Sequence, residues 1–204
     1  MAGIYIHIPF CKTKCIYCDF YSIITLKFVD DYIDAIRKEV SIRKAELKDC
    51  EIKTIYIGGG TPSLLTISQI KSVVDCLKSE FDLSSLEEFT IEANPEDISF
   101  SYVKGLIDFG VNRISIGIQS FDDGDLKLIN RRHNSSKAIE AVNIIKQAGI
   151  ANISIDLIYG LPGQTIGKWI ENLKTAVSLD VKHISAYNLS YEEGTKLSNM
   201  RKHG

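Results

Sequence analysis

The chain reads as an α/β protein, an incomplete TIM-type (β/α)6 barrel of parallel strands. Three observations predict it. Short β-rich runs alternate with longer segments of helical periodicity. Each β-rich run is apolar on one parity and polar or tiny on the other. The first run leads at once into three closely spaced cysteines, at what would be the C-terminal mouth of a barrel, where such folds keep their chemistry.

Strands are expected near residues 4–8, 53–58, 88–93, 113–119, 152–158 and 183–189, and helices near 28–48, 66–80, 99–109, 135–148 and 166–179. The first strand is Ile4-Tyr5-Ile6-His7-Ile8. The first helix carries Ile33, Ile36, Val40 and Leu47 near helical spacing, with charged residues between them. The fourth runs from Ser136 through Lys146 and meets a glycine stop at Gly149. Strand–helix alternation of this kind implies right-handed βαβ units and a parallel sheet. Past the sixth strand, Tyr191-Glu192-Glu193-Gly194-Thr195 leads into a polar tail in which no further helix is expected. That ending predicts one truncated domain over residues 1–204.

The strand faces say more than the strand count. Ile4/Ile6/Ile8, Ile55/Ile57, Phe89/Ile91, Ile114/Ile116/Ile118 and Ile153/Ile155/Leu157 share one parity. Tyr5/His7, Tyr56/Gly58, Thr90/Glu92, Ser115/Gly117/Gln119 and Ser154/Asp156 share the other. A filled TIM barrel places branched residues inside as well as outside. Here only the helix-facing side is apolar, which predicts a partly filled barrel whose lumen holds a polar ligand. A half-solvated antiparallel sheet has the same alternation, but its short hairpins are replaced here by long helical connections.

Composition narrows the class. The chain is 45% hydrophobic and 25% charged, as soluble globular proteins are. With Lys+Arg at 24 and Asp+Glu at 26, the net charge of −2 leaves no basic footprint for nucleic acid. No apolar run is long enough for a membrane span, and the N-terminus lacks the basic start and cleavage site of a secretory signal. The cytoplasm is the expected compartment.

Of five cysteines, Cys11, Cys15 and Cys18 fall in one CxxxCxxC loop, while Cys50 and Cys76 are scattered. An odd, clustered set is a poor disulfide framework and points to metal. Soft thiolates select zinc or an iron–sulfur cluster. Three thiolates on one loop hold three irons of a [4Fe–4S] cube and leave the fourth iron open for a cofactor. A zinc site built from the three cysteines and His7 is the competing arrangement. Cys76, near Val73, Leu77 and Phe81, reads as a small core residue.

Other strand ends carry candidates. Gly58-Gly59-Gly60-Thr61-Pro62 closes the second strand; alone it marks a tight turn or an anion cradle, without the Gly-Lys-Ser/Thr ending of a P-loop. Glu92 ends the third strand on the lumen parity, where a carboxylate is costly unless paired, with a salt bridge across the barrel as the simplest solution. Gln119 and Asp156 lie on the fourth and fifth strands, and Arg131 follows in Asn130-Arg131-Arg132-His133. Arg131 could neutralise a carboxylate, although an arginine there is ordinarily solvated. His7 and His133 are ordinarily packed or hydrogen-bonded core groups.

The string from Tyr5 to Phe20, with its cysteine loop and Cys18-Asp19-Phe20 ending, resembles the radical SAM superfamily. Within it, the resemblance is to the oxygen-independent coproporphyrinogen III oxidase family, including its heme-chaperone branch. It runs the length of the chain. The likeness implies a radical SAM core in which Cys11, Cys15 and Cys18 hold a [4Fe–4S] cluster. The open iron then chelates S-adenosylmethionine (SAM), which is cleaved to a 5′-deoxyadenosyl radical and methionine. Matched motifs imply SAM contacts from Tyr5, Gly59, Gly60, Thr61 and Glu92, with Tyr17 beside the adenine. Gln119, Arg131, Asp156 and Ser190 match positions that meet a second SAM in the oxidase.

One departure separates the branches. The oxidase motif continues to a fourth cysteine two residues past the third, and here that position is Phe20. Asp19-Phe20, and the string Ile158 to Thr165, resemble the chaperone branch instead. The expected task is to bind heme and deliver it to acceptor proteins. The alternative is oxidative decarboxylation of two porphyrinogen propionates. Both branches carry a C-terminal domain, and heme is expected to bind there in the longer protein.

Overall fold

The computed structural model describes residues 1–202; 203 and 204 lie outside it. Six strands form one sheet: β1 (Ala2–Ile8), β2 (Ile52–Gly59), β3 (Glu88–Ala93), β4 (Arg113–Gln119), β5 (Asn152–Tyr159) and β6 (His183–Asn188). They pair in sequence order, and every pair is parallel. β1 and β6 are the two edges, which makes the sheet an incomplete barrel.

Register explains the parity of the sequence. Ile6, Ile57, Ile91, Ile114 and Ile153 are successive cross-strand partners, forming one apolar row over five strands. All five are buried. At roughly 1.5–3 kcal/mol for each fully buried aliphatic side chain, such rows dominate the stability of the sheet. The opposite parity lines up Glu92, Ser115, Ser154 and His183. A one-residue slip would exchange the two rows, so the register is strongly specified.

Helices cover the apolar side: α1 (Val29–Arg43), α2 (Ile67–Glu80), α3 (Phe100–Asp108), α5 (Ser135–Ala148) and α6 (Ile166–Ser178). Their starts are encoded locally. Thr66 and Gln69 make a reciprocal capping box on α2, and Ser99, Asn134 and Thr165 each accept a backbone N–H three residues on. Gly149 ends α5 in the left-handed region at φ 114°, as its position after Lys146 predicts. α2 presents Ile70, Val73, Val74 and Leu77 to the sheet, and α5 presents Ala138, Ala141, Val142 and Ile145.

Four expectations need correction. The first helix breaks into a 3-10 turn at Lys44–Leu47 instead of running to residue 48. A short helix, α4 (Asp123–Leu128), follows β4; with six residues and an internal glycine it is too short to show periodicity. The polar tail contains α7 (Lys196–Lys202), capped by the Thr195 hydroxyl, which accepts from Ser198 N–H at 3.1 Å. α7 buries Leu197 in a second apolar cluster with Ile16, Ile129, Ile158, Leu161 and Leu189. Cys76 is only partly buried, its thiol 3.7 Å from the Arg37 carbonyl, so it borders the core without belonging to it. Among the described residues no helix is long and apolar enough to cross a membrane.

Candidate functional site

The cysteine loop leaves β1 through Pro9 and Phe10, and its two ends are tied together. Cys11 N–H donates to the Ile23 carbonyl at 3.0 Å, and Ile23 N–H donates to Pro9 at 2.7 Å. Phe10 is buried edge-on against Tyr32, whose hydroxyl donates to the His7 carbonyl at 2.8 Å. The middle of the loop is pinned by Ile16: its N–H meets Ile129 O at 3.4 Å and its carbonyl accepts from Leu197 N–H at 2.8 Å. The Asn130 amide donates to Lys14 O at 2.9 Å. Three distant segments therefore hold the loop over the C-terminal ends of the strands.

Beneath it is a cavity of about 530 Å³, within the range of small-molecule sites. Its lining brings together Cys11, Cys15, Cys18, Tyr17, Gly59, Gly60, Thr61, Glu92, Gln119, Arg131, Asp156 and Ser190. Of the residues expected to hold the cluster or SAM, Tyr5 alone lies outside this lining. It is 59% exposed, its ring tilts against Tyr56, and its hydroxyl faces His7 Nδ1 at 3.0 Å. The other His7 nitrogen faces Tyr21 O at 3.1 Å. With both ring nitrogens engaged, His7 is not offered to the thiols as a fourth zinc ligand. His133 is a buried, hydrogen-bonded core group, as expected, between Glu96 and the Ile118 carbonyl.

Among the described residues Glu92 has no salt-bridge partner. Neutral donors hold it: Tyr56 hydroxyl to Oε1 at 2.7 Å and Gly59 N–H to Oε2 at 3.0 Å. Burial pushes its carboxyl above the usual range, these two bonds only partly offsetting it. Asp156 accepts from Ser115 Oγ at 3.3 Å and is likewise raised, chiefly by burial. Two carboxylates thus face the lumen with no cation in contact among the described residues. Burial also pushes the Cys18 thiol up; ligation, which needs the thiolate, would reverse that.

Arg131 stands in the site, as its motif implies, and is not solvated in the way an arginine there ordinarily is. It lies in the cavity wall, Nη2 donating to Asn94 Oδ1 and Gly117 O, both at 2.6 Å, while Nη1 reaches Cys15 Sγ at 3.5 Å. Thr61 Oγ1 lies 3.5 Å from Cys11 Sγ. Sequence reading missed Asn94, Tyr56 and Ser115, which hold Arg131, Glu92 and Asp156. Tyr56 and Ser115 sit on the polar parity, and Asn94 stands between strand three and Pro95; those positions were the available signal.

The cavity fits a cluster with a polar cofactor. Gln119 Oε1 is buried in the wall without a partner among the described residues, and its backbone takes φ 66°, an uncommon conformation for a non-glycine residue. Arg131 Nε is similarly without a partner. At Gly60 a Cβ would lie 2.9 Å from Phe10 O and 3.0 Å from Cys11 Sγ, so only bare backbone fits beside the first cysteine. Among the described residues no three His, Cys, Asp or Glu side chains converge closely enough to hold one ion.

Comparison with known proteins supplies the family. The model of the radical SAM superfamily matches residues 5–176. The heme chaperone HemW of Lactococcus lactis is 41% identical over 201 residues, covering 98% of this chain and 52% of that protein. HemW of Bacillus subtilis is 41% identical over 206 residues, covering 100% of this chain and 54% of that protein. Among solved structures, coproporphyrinogen III oxidase (HemN) from Escherichia coli, described as a radical SAM enzyme, superposes with a TM-score of 0.89 at 30% identity, over 98% of this chain and 46% of that one. The chain spans about half the length of the curated relatives it matches. It belongs to the radical SAM superfamily, whose members bind a [4Fe–4S] cluster and SAM.

Proposed function

We propose that the chain is the cluster- and SAM-binding part of a cytoplasmic heme chaperone of the HemW kind, which takes up heme and passes it to acceptor proteins. Cys11, Cys15 and Cys18 would hold the [4Fe–4S] cluster. Gly59, Gly60, Thr61, Glu92, Gln119, Arg131, Asp156 and Ser190 would hold SAM. The single observation that carries this is their convergence on one cavity, in which a glycine strip and two cation-free carboxylates face three thiols.

When bound, the reduced cluster supplies one electron for cleavage of the sulfonium C–S bond. The chain's own residues do the rest. Glu92 and Asp156 offer negative charge to a cationic ligand. The bare Gly59–Gly60 backbone lets that ligand approach closely, and Gln119 offers an unpartnered carbonyl. Phe20 supports the chaperone reading over the oxidase. It stands where the oxidase motif has its fourth cysteine, lies at the cavity rim, and is 71% exposed.

The second reading, decarboxylation of coproporphyrinogen, is favoured by the TM-score of 0.89 against HemN. One experiment separates them. Protein reconstituted anaerobically with iron and sulfide is offered heme and coproporphyrinogen separately. The chaperone reading expects a heme Soret band and transfer to an acceptor protein, most strongly in a longer chain. Decarboxylated porphyrinogen would replace it with the oxidase reading.

A further inference from the structure

Two of the three cysteine sulfurs are joined by an unbroken chain of hydrogen bonds through the protein. Thr61 Oγ1 approaches Cys11 Sγ at 3.5 Å, and Asn94 Nδ2 approaches Thr61 Oγ1 at 3.4 Å. Asn94 Oδ1 accepts from Arg131 Nη2 at 2.6 Å, and Arg131 Nη1 approaches Cys15 Sγ at 3.5 Å. Asn94 is itself held in place, its backbone N–H donating to Ser63 Oγ at 3.1 Å.

The direction of every bond in the chain follows from one fact: a guanidinium only donates. Arg131 must therefore face the amide oxygen of Asn94. That turns the Asn94 NH₂ toward Thr61, whose oxygen must accept. The single Thr61 hydroxyl hydrogen is then left pointing at Cys11 Sγ. Both ends of the chain thus present a hydrogen to a cysteine sulfur, and the Asn94 amide sets the polarity of both.

We propose that Asn94 is a positioning residue that holds Thr61 and Arg131 as donors to the Cys11 and Cys15 thiolates, and so raises the reduction potential of the cluster they ligate. Hydrogen bonds to cluster sulfurs are among the features that set that potential. The sign follows from charge: reduction adds an electron that is shared with the sulfurs, and donors stabilise the more negative state. This inference rests on the three-cysteine cluster proposed above.

The test is a redox titration of the anaerobically reconstituted protein, followed by the electron paramagnetic resonance of the reduced cluster. Thr61→Val removes the hydroxyl while keeping shape, and Thr61→Ser keeps the hydroxyl. Asn94→Asp keeps shape but offers two acceptors, so the Thr61 hydrogen turns to it and away from Cys11. Thr61→Val should lower the reduced-to-oxidised ratio at fixed potential by about threefold to tenfold, tenfold being about 59 mV for a one-electron couple. Thr61→Ser should match the native protein. Asn94→Asp should also lower the ratio, and adding Thr61→Val to it should change nothing further, a non-additivity characteristic of groups in one network.

A native potential in Thr61→Val, or full additivity in the double variant, overturns the proposal. If Asn94→Asp does not retain a cluster, the comparison of Thr61→Val with Thr61→Ser decides. If the native protein assembles no cluster at all, the reading that fails is the cluster site itself and not the role of Asn94.

Discussion

The Nη1 atom of Arg131 lies 3.5 Å from the sulfur of Cys15, although 116 residues separate them in the chain. The guanidinium is held there by Asn94 and the Gly117 carbonyl, each 2.6 Å from Nη2. It therefore links the cysteine loop to the ends of β3 and β4, and it brings positive charge to a place where thiolates must gather.

Replacing Arg131 should damage fold and cluster together. Arg131→Met leaves the Asn94 and Gly117 oxygens without that donor in a water-poor wall. The expected cost is about 2–4 kcal/mol of unfolding free energy, measured by urea titration, with a loss of iron retained per chain after reconstitution. Arg131→Lys keeps the charge without the planar fork, and should fall between the two.

Gly60→Ala tests the other side of the loop. The new methyl would meet the Phe10 carbonyl at 2.9 Å and Cys11 Sγ at 3.0 Å, and the first of these is backbone that cannot swing aside. Overpacking of this kind costs about 1–3 kcal/mol. Because the strain falls on Cys11, iron bound per chain should drop even where circular dichroism shows the sheet intact. Full iron content in that variant would mean that the loop relaxes without losing its ligand geometry.

Glu96 governs the response to acid. Burial alone would raise its carboxyl, but His133 at 3.2 Å, its own backbone N–H, the nearby Arg131 charge and Arg132 at 2.6 Å outweigh that and hold it at about 2. A lowered folded value means that the stabilisation is present above the ordinary carboxylate value of about 4.3 and is lost as pH falls through the folded value. On the order of 2–3 kcal/mol should disappear between about pH 4 and pH 2. Glu96→Gln should lose a similar amount at neutral pH and show a flatter acid limb in urea unfolding.

What the sequence made legible was whatever depends on near neighbours in the chain. The Ile6–Ile57–Ile91–Ile114–Ile153 row was implied by strand parity, since parallel pairing keeps like parities together. The α2 start was expected near residue 66, where the structure places the Thr66–Gln69 capping box. The cysteine loop was plain from its spacing. By contrast, α7 was read as a polar tail because a single apolar residue, Leu197, secures it against a cluster assembled from distant segments. The role of Asn94 was missed for the same reason: its partners Thr61 and Arg131 are 33 and 37 residues away. Tyr5, conversely, was placed in the site by motif alone, and its position on the edge strand beside Tyr56 carries it outside the cavity lining.

Glu92 should reverse the pH dependence of Glu96. Burial favours its protonated form in the folded chain, with the Tyr56 hydroxyl and Gly59 N–H pulling the other way and losing. A raised folded value means that this group's contribution is fully present below the ordinary value of about 4.3 and is lost as pH rises through the folded value. Relative to Glu92→Gln, which stays neutral, the native chain should therefore lose stability as pH climbs above about 4. A cation bound in the cavity would offset the cost of ionising this carboxylate. Glu92→Gln should thus weaken SAM binding by about tenfold or more, the scale of one charge-assisted hydrogen bond. Calorimetric titration of SAM into both reconstituted proteins, beside urea unfolding of both apoproteins across that pH range, measures the two effects together. A variant that gains no relative stability at neutral pH, or that binds SAM as tightly as the native chain, would remove Glu92 from the site.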